Sequence, residues 1–421
     1  MKFIGQLEKN FGVLFAITTL ANIADYLFHL YMGRHLSPAD YGILYSLITL
    51  LIIVSVPTIT IRTVMARYVS HFMIKNEYGK VRSLLFSSFK VVFLGGLLGF
   101  LVFSFASGQI AQYLQIPSRT PVIILGVIVL ITVIMPVGRG ALQGLEKFGH
   151  LGLNFLSQAG LKLGSGIVLV YFGFKVNGAL AAFILGGLAA LFLLLRPLNF
   201  FFHGKELAGT VGLKKIYQYS APVIIAISCL WVMVNVDVIL VKHFFKPLEA
   251  GYYSAAALVG RVIFFLPESI GIVMFPKTSQ LHVQRRKSFF VLKKTLLFVG
   301  LLAGGAATGC ILFPSFVTRI LWGTKYSSSA PLVGRFALAM TLFSLANVLF
   351  LYQLSIHSFR FLYLAGIFAI SEIVAITIFH SSLSQVVWIL VANATVLFLL
   401  NLLIVFVRQS MSIPEERCSS T

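Results

Sequence analysis

Long apolar runs separated by short polar segments follow one another from residue 11 to residue 407. A transmembrane helix needs about 20 apolar residues, and twelve stretches approach that length. The predicted spans cover residues 11–32, 41–61, 84–106, 120–137, 151–172, 178–195, 221–241, 252–275, 290–312, 331–353, 361–379 and 385–407. The pattern therefore predicts an all-α polytopic membrane protein with twelve transmembrane helices.

Two of the polar segments match each other at a fixed offset. Residues 37–42 and residues 246–251 place a Pro, an acid and a Gly in the same register, 209 residues apart. Pro suits the first position of a helix and an acid suits its first turn, so each segment should begin a new span. Ser37 and Asp40 also fit a capping box, which Lys246 interrupts in the second copy.

The positions of these two segments predict how the spans are grouped. They join spans 1 and 2 and spans 7 and 8, so the copies lie six spans apart. We therefore predict two six-helix lobes related by a parallel pseudo-twofold repeat, with the boundary between residues 1–209 and 210–421. The alternative is a chance similarity of two turns, because short motifs often match falsely.

Composition and charge agree with a membrane protein and predict its orientation. The chain has 421 residues, of which 58% are hydrophobic and 11% are charged, and a soluble domain would carry more charge. The net charge of +21 fits either basic cytoplasmic loops or a cationic binding surface. A cytoplasmic N-terminus places 22 Lys and Arg inside and 8 outside, as the positive-inside rule requires. We expect a multi-pass protein of the cell membrane with both termini in the cytoplasm.

Polar residues inside the predicted spans are the candidates for function, because ionisable groups are costly in lipid. The candidate substrate-binding residues are Asn22, Asp25, His29, Arg62, Lys162, Asp237, Arg261 and Glu268. Most lie on the first two spans of each lobe, and they would line one central space if the lobes faced each other there.

Each of these groups also has a structural interpretation. Asp25 or Asp237 would suit an ion pair with Arg261. Asn154, Gln158 and Lys162, spaced four apart on span 5, would suit contacts between helices. For Arg62 and Arg139, near cytoplasmic span ends, a role in topology is the alternative. Prolines are expected to kink spans, and they lie at positions 57, 136, 222, 267 and 276.

The sequence carries no signature of an enzyme or a metal site. It has no Walker sequence, HExxH or GxSxG, and its three cysteines form no CxxC. We therefore predict no catalytic residue, metal or cofactor. Without a nucleotide site, uphill transport would depend on an ion gradient or on substrate flow, and coupling to Na⁺ or H⁺ is left open.

Four segments carry a resemblance to a known family, and they are residues 33–42, 250–256, 138–145 and 321–326. They resemble the first outer loop, the entry of span 8, the 4–5 loop and the 9–10 loop of the prokaryotic oligosaccharide flippases, which belong to the multidrug/oligosaccharidyl-lipid/polysaccharide exporter superfamily. This resemblance covers nearly the whole chain. It implies a V-shaped, two-lobe bundle whose central cavity is lined by spans 1, 2, 7 and 8.

Arg261 and Pro267 are similar to a span 8 pattern in lipid-linked peptidoglycan-precursor flippases, in which an arginine faces the cavity. The spacing to the proline differs here. Those relatives often have two further spans that this chain lacks, which favours the polysaccharide branch of the superfamily.

The resemblance and the charges lead to one hypothesis: a flippase that moves a polyprenyl-diphosphate-linked oligosaccharide from the cytoplasmic to the outer leaflet by alternating access. Arg261 is the first candidate for contact with the headgroup and Arg62 is the second candidate, because arginine forks match phosphate oxygens. Asp25 and Asp237 would orient these arginines or bind a coupling cation. The expected partners are the lipid-linked oligosaccharide, membrane lipids and a glycan polymerase or ligase, with no nucleic acid.

Two other classes of protein are alternatives to a flippase. An ion-coupled exporter of organic cations from the multidrug branch would need a cavity dominated by acids, and the chain has only 12 Asp and Glu. A membrane-bound glycosyltransferase or polymerase would need a long loop with paired acids, whereas every predicted loop is short.

Overall fold

The computed structural model describes residues 2–202, 213–267, 289–356 and 361–411, together with Ile270, Met274, Thr278 and Leu281. Contacts divide the chain into an N-terminal unit, Met1–Ile224, and a C-terminal unit, Ile225–Thr421. The boundary predicted between residues 209 and 210 lies outside the described residues and stays a prediction.

The helices of the N-terminal unit pack around one apolar core. They are α1 (Lys2–His35), α2 (Pro38–Ser55), α3 (Pro57–Ile74), α4 (Tyr78–Phe105), α5 (Ser107–Tyr113), α6 (Thr120–Gly144), α7 (Phe148–Tyr171) and α8 (Lys175–Phe202). Met65 of α3, Leu84 of α4, Leu142 of α6 and Leu194 of α8 are buried in this core. Helix α6 packs against α3, α4 and α8, and α7 packs against α1 and α8.

The C-terminal unit begins within α9 and is built around α13. Its helices are α9 (Leu213–Phe244), α10 (Pro247–Phe265), α11 (Phe289–Leu312), α12 (Pro314–Trp322), a 3₁₀ helix (Thr324–Ser329), α13 (Ala330–Ser355), α14 (Phe361–Ile378) and α15 (Leu383–Met411). Helix α13 packs against α10, α11 and α15. Val299 of α11, Leu349 of α13 and Val405 of α15 are buried in its core.

Ten helical segments in the described part of the chain are long and apolar enough to cross a membrane. Predicted spans 1 and 8, which are not among the ten, correspond to α1 and α10. Helices α4 and α11 expose large apolar side chains, among them Leu98 (63%) and Leu301 (64%), as expected for lipid-facing positions. The prediction of an all-α polytopic membrane protein is confirmed.

The predicted second span is two helices rather than one. Helix α2 ends at Ser55 and α3 begins at Pro57, because proline has no N–H to continue the hydrogen-bond ladder. Helix α10 likewise ends two residues before Pro267. Pro136 and Pro222 lie inside helices that continue past them, and Pro276 lies outside the described residues.

The two matching segments start their helices with different halves of a capping box. Ser37 Oγ accepts from the Asp40 N–H at 3.1 Å and donates to Asp40 Oδ2 at 2.7 Å. At the second copy the Lys246 N–H donates to Glu249 Oε2 at 3.2 Å. Lys246 therefore removes one half of the motif, while the acid three residues later supplies the other half.

Residues 138–144, expected in the 4–5 loop, form the last turns of α6. A Cβ on Gly140 would lie 2.5 Å from the Arg62 carbonyl oxygen, and one on Gly144 would lie 2.6 Å from the Ala66 oxygen. Glycines four residues apart thus let α3 and α6 meet at backbone distance, as small residues do in membrane bundles. The predicted span ended at residue 137, and the loop expected from residue 138 onward was wrong because α6 continues to Gly144.

Replacing Gly140 with alanine should lower the melting temperature of the purified protein. The new methyl would overlap the α3 backbone, and overpacking typically costs about 1–3 kcal/mol. Gly95→Ala in α4 is the matched control, since nothing lies within 4 Å of its Cβ position. Equal melting temperatures for the two variants would contradict this close helix contact.

Candidate functional site

A lysine–carboxylate pair connects the first and fifth spans of the N-terminal unit. Lys162 Nζ on α7 lies 2.7 Å from Asp25 Oδ1 on α1, and the two side chains are 9% and 51% exposed. The ammonium also lies over the rings of Phe28 and Phe183, with its nitrogen 5.1 Å and 4.6 Å from the ring centroids. A carboxylate and two aromatic faces thus compensate the buried positive charge.

The other predicted residues of α1 flank this pair. The His29 ring makes edge contacts with Phe28 and with Tyr45 of α2, at centroid distances of 5.6 and 5.9 Å. Asn22 is exposed one turn before Asp25. Of the predicted α1 residues, Asp25 therefore holds the ion pair, whereas His29 packs against aromatic rings.

Arg139 of α6 is held by the polar stripe of α7. Its Nε donates to Asn154 Oδ1 at 2.7 Å, and its Nη2 donates to Gln158 Oε1 at 2.5 Å. The guanidinium carbon lies 4.2 Å from the centroid of the Phe155 ring. Asn154 Nδ2 in turn donates to the Ala190 oxygen of α8 at 2.6 Å.

The stripe of Asn154, Gln158 and Lys162 therefore links α7 to three neighbouring helices, α6, α8 and α1. Of the two interpretations that the sequence left open, contacts between helices describe the arrangement in this structure. Each polar group meets a polar partner, as buried groups in a membrane bundle require.

Three cations and one acid of the N-terminal unit are connected through successive neighbours. Arg139 lies within electrostatic range of both Arg62 and Asp25, and Lys162 contacts Asp25 directly. Arg62 is half-buried on α3, and its backbone packs against Gly140. We call Arg62, Arg139, Lys162 and Asp25 the N-lobe charge cluster, whose formal charge is positive.

The C-terminal unit contains a deeply buried ion pair. Arg261 Nη2 on α10 lies 3.0 Å from Asp237 Oδ1 on α9, and the two side chains are 4% and 0% exposed. Arg261 Nε also donates to the Val234 oxygen at 3.0 Å, and the Tyr253 hydroxyl donates to Asp237 Oδ2 at 2.9 Å. Arg261 and Asp237 thus form the ion pair that the sequence left open as an alternative to a ligand site.

A second buried acid lies close to this pair, and the sequence analysis missed it. Glu372 of α14 is 0% exposed and accepts from Asn393 Nδ2 of α15 at 2.7 Å. It lies within electrostatic range of Asp237 and Arg261. The signal was available: Glu372 is the one acid of predicted span 11, and intramembrane acids are functional candidates by default.

The structure gathers the predicted residues into two groups, one in each unit. Asp25, Lys162 and Arg62 belong to the N-lobe charge cluster, with His29 and Asn22 beside it, whereas Asp237 and Arg261 pair in the C-terminal unit. Glu268 lies outside the described residues. Among the residues that the structure describes, no cluster of His, Cys, Asp and Glu suits a metal ion.

Several solved structures share the fold of this protein. It superposes with a TM-score of 0.75 on an inward-facing multidrug resistance MATE family transporter of the MOP superfamily, at 13% identity over 95% of this chain and 99% of that one. The lipid II flippase MurJ gives 0.70 at 13% identity, over 93% and 87% of the two chains. A MOP superfamily transporter from Pyrococcus furiosus gives 0.60 at 15% identity, over 95% and 94%. This chain shares its all-α fold with those three membrane proteins.

The chain belongs to the polysaccharide biosynthesis protein family, whose model matches residues 31–331. It is also 24% identical over 220 residues to an uncharacterized membrane protein of Methanocaldococcus jannaschii, which is 48% of this chain. The match spans about half the length, 50%, of that curated relative. The predicted family is confirmed.

Proposed function

We propose that this protein is a flippase that carries a polyprenyl-diphosphate-linked oligosaccharide from the cytoplasmic to the outer leaflet by alternating access. The family supports a role in polysaccharide biosynthesis, and the fold is shared with a lipid flippase. The observation that carries the proposal is the N-lobe charge cluster, because its positive charge suits a diphosphate.

The chemistry of the cluster supports an anionic headgroup. Arg62 has a planar guanidinium, which matches phosphate oxygens in pairs, and Lys162 adds a point charge. Arg139 adds positive charge nearby, while its own donors bridge α6 and α7. Asp25 is engaged by Lys162 at 2.7 Å. A site for organic cations would instead need carboxylates in excess, and this cluster has one carboxylate for three cations.

Contact with a lipid headgroup would require an accessible guanidinium, whereas that of Arg261 is buried. Its guanidinium is 4% exposed and bound to Asp237 and the α9 backbone. Direct contact with the diphosphate would therefore require Arg261 to leave this pair during the transport cycle. We propose that Arg62, which is half-buried, makes the first contact and that Asp237 orients Arg261.

The remaining features of the proposal follow from the sequence. The protein would lie in the cell membrane with both termini in the cytoplasm, as the distribution of Lys and Arg predicts. A glycan polymerase or ligase would act on the translocated glycan. Coupling to Na⁺ or H⁺ would require Asp25 or Asp237 to exchange its basic partner for the ion.

A flipping assay in liposomes tests this function. We expect the reconstituted protein to move a fluorescent polyprenyl-diphosphate oligosaccharide between leaflets, and Arg62→Gln to slow that transfer about tenfold, the effect of roughly 1.4 kcal/mol. Lys90→Gln is the matched control, because Lys90 is an exposed cation of α4. A wild-type protein that leaves the lipid in place but lowers the accumulation of organic cations in cells would overturn the proposal.

A further inference from the structure

An open cavity of about 400 Å³ lies at one end of the N-terminal unit, and we call it the loop cavity. It is bordered by the start of α2, the α5–α6 loop, and the α7–α8 loop with the first turn of α8, all predicted to lie on the outer face. The lining residues include Asp40, Ile43, Ser118, Phe174, Lys175 and Asn177. This volume falls within the range of small-molecule pockets.

Polar residues and one aromatic side chain line this cavity together. Asn177 is among the lining residues, although its Oδ1 is closed to solvent and has no hydrogen-bond partner among the described residues. Asp40 uses Oδ2 to accept from Ser37 Oγ at 2.7 Å, which leaves Oδ1 for a ligand donor. Phe174 is 59% exposed and offers an apolar surface beside these acceptors.

The combination of donors, acceptors and an aromatic surface fits a sugar ring. A hexose presents hydroxyl groups around its edge, which pair with carboxylate, amide, hydroxyl and ammonium groups. Its C–H faces are apolar and pack against an aromatic side chain such as Phe174. Asp40 and Lys175 carry opposite charges, so the cavity favours a neutral ligand over an anion.

A second cavity of the N-terminal unit differs from the loop cavity because it has an apolar lining. It has a volume of about 320 Å³ and is lined only by apolar side chains of α4, α6 and α8, among them Phe89, Ile134 and Leu195. Such a crevice suits an alkyl chain in the membrane. The loop cavity differs because charged and amide groups line it together with an aromatic ring.

We propose that the loop cavity is a glycan-binding site that holds one neutral sugar unit of the translocated oligosaccharide at the outer face of the N-terminal unit. This inference rests on the proposed flippase function. It adds the class of sugar, a neutral hexose or N-acetylhexosamine, and a place where the glycan is held outside the bilayer.

Saturation-transfer difference NMR on the full chain in sugar-free nanodiscs tests the site. The probes are the methyl glycosides of glucose, galactose and mannose, together with N-acetylglucosamine. We expect transfer from the wild-type protein to at least one probe, and a loss of at least fivefold in Phe174→Ala and in Asn177→Ala. Phe172→Ala is the control, because Phe172 is a 71% exposed aromatic of the same loop that does not line the cavity.

Two results would overturn the glycan site. One is no transfer from the wild-type protein to any of the four sugars, and the other is transfer that persists in both cavity variants. Size-exclusion profiles show whether each variant is folded. Flipping measured in the same preparations separates the two proposals, since normal flipping without sugar binding overturns only the glycan site.

Discussion

Arg261→Ala is expected to yield little folded protein, with the largest loss of stability of any single substitution considered. Removing the guanidinium leaves Asp237 buried and without its cation, and breaking a buried pair from one side costs about 3–5 kcal/mol. Asp237 would keep the bond from the Tyr253 hydroxyl, at 2.9 Å, and the backbone hydrogen bond from Val238, neither of which carries a positive charge. Thermal unfolding of the detergent-solubilised protein measures the effect. Arg119→Ala, at an exposed arginine of the N-terminal unit, is the control.

The double variant Arg261→Met/Asp237→Leu separates stability from transport. Replacing both members of a buried pair with apolar residues is often neutral or stabilising, so the double variant should recover most of the lost melting temperature. If Arg261 contacts the headgroup during transport, the double variant should fold but should not flip lipid. A double variant that flips at the wild-type rate would restrict Arg261 to a structural role.

Arg139→Ala is expected to have the second-largest effect, and to act on both folding and transport. The substitution removes two hydrogen bonds from a charged donor, each worth about 1.5–3 kcal/mol. It also leaves Asn154, which is 0% exposed, with an unpaired amide oxygen. Melting temperature and the liposome flipping rate should both fall.

Arg139→Lys tells the two contributions of Arg139 apart. Lysine keeps the charge of the cluster but cannot reach Asn154 and Gln158 together through a planar fork. Its melting temperature should remain low while some flipping returns. A melting temperature equal to that of the wild-type protein in either variant would contradict the bridge between α6 and α7.

The sequence predicted the class and most of the helices because both depend on local patterns. Apolar runs of the length of a span identify membrane helices without any knowledge of their packing. The same reasoning missed the break at Val56–Pro57 and the continuation of α6 to Gly144. The break depends on whether a proline ends a helix, as Pro57 does, or is accommodated within it, as Pro136 is. The length of α6 also depends on how closely α3 packs against it.

Apart from the Arg261–Asp237 pair, which the sequence left open as an alternative, the candidate residues were predicted as individual positions and not as partners. The spacing of Asn154, Gln158 and Lys162 predicted a polar face on α7, but not which helix each residue would meet. Lys162 meets Asp25 because α7 packs against α1, and the other two meet Arg139 where α7 also touches α6. Such pairings depend on tertiary contacts between helices, which one sequence without related sequences does not encode visibly.

The two ion pairs have different consequences for the synthesis of this protein. Asp237 and Arg261 lie on consecutive helices, α9 and α10, so a hairpin leaving the ribosome would enter the bilayer with its charges already matched. Lys162, the partner of Asp25, is synthesised six helices after it. We therefore expect the Asp25 carboxylate to stay in contact with water or the insertion machinery until α7 is made, and α1 to pack in its final position late in biogenesis.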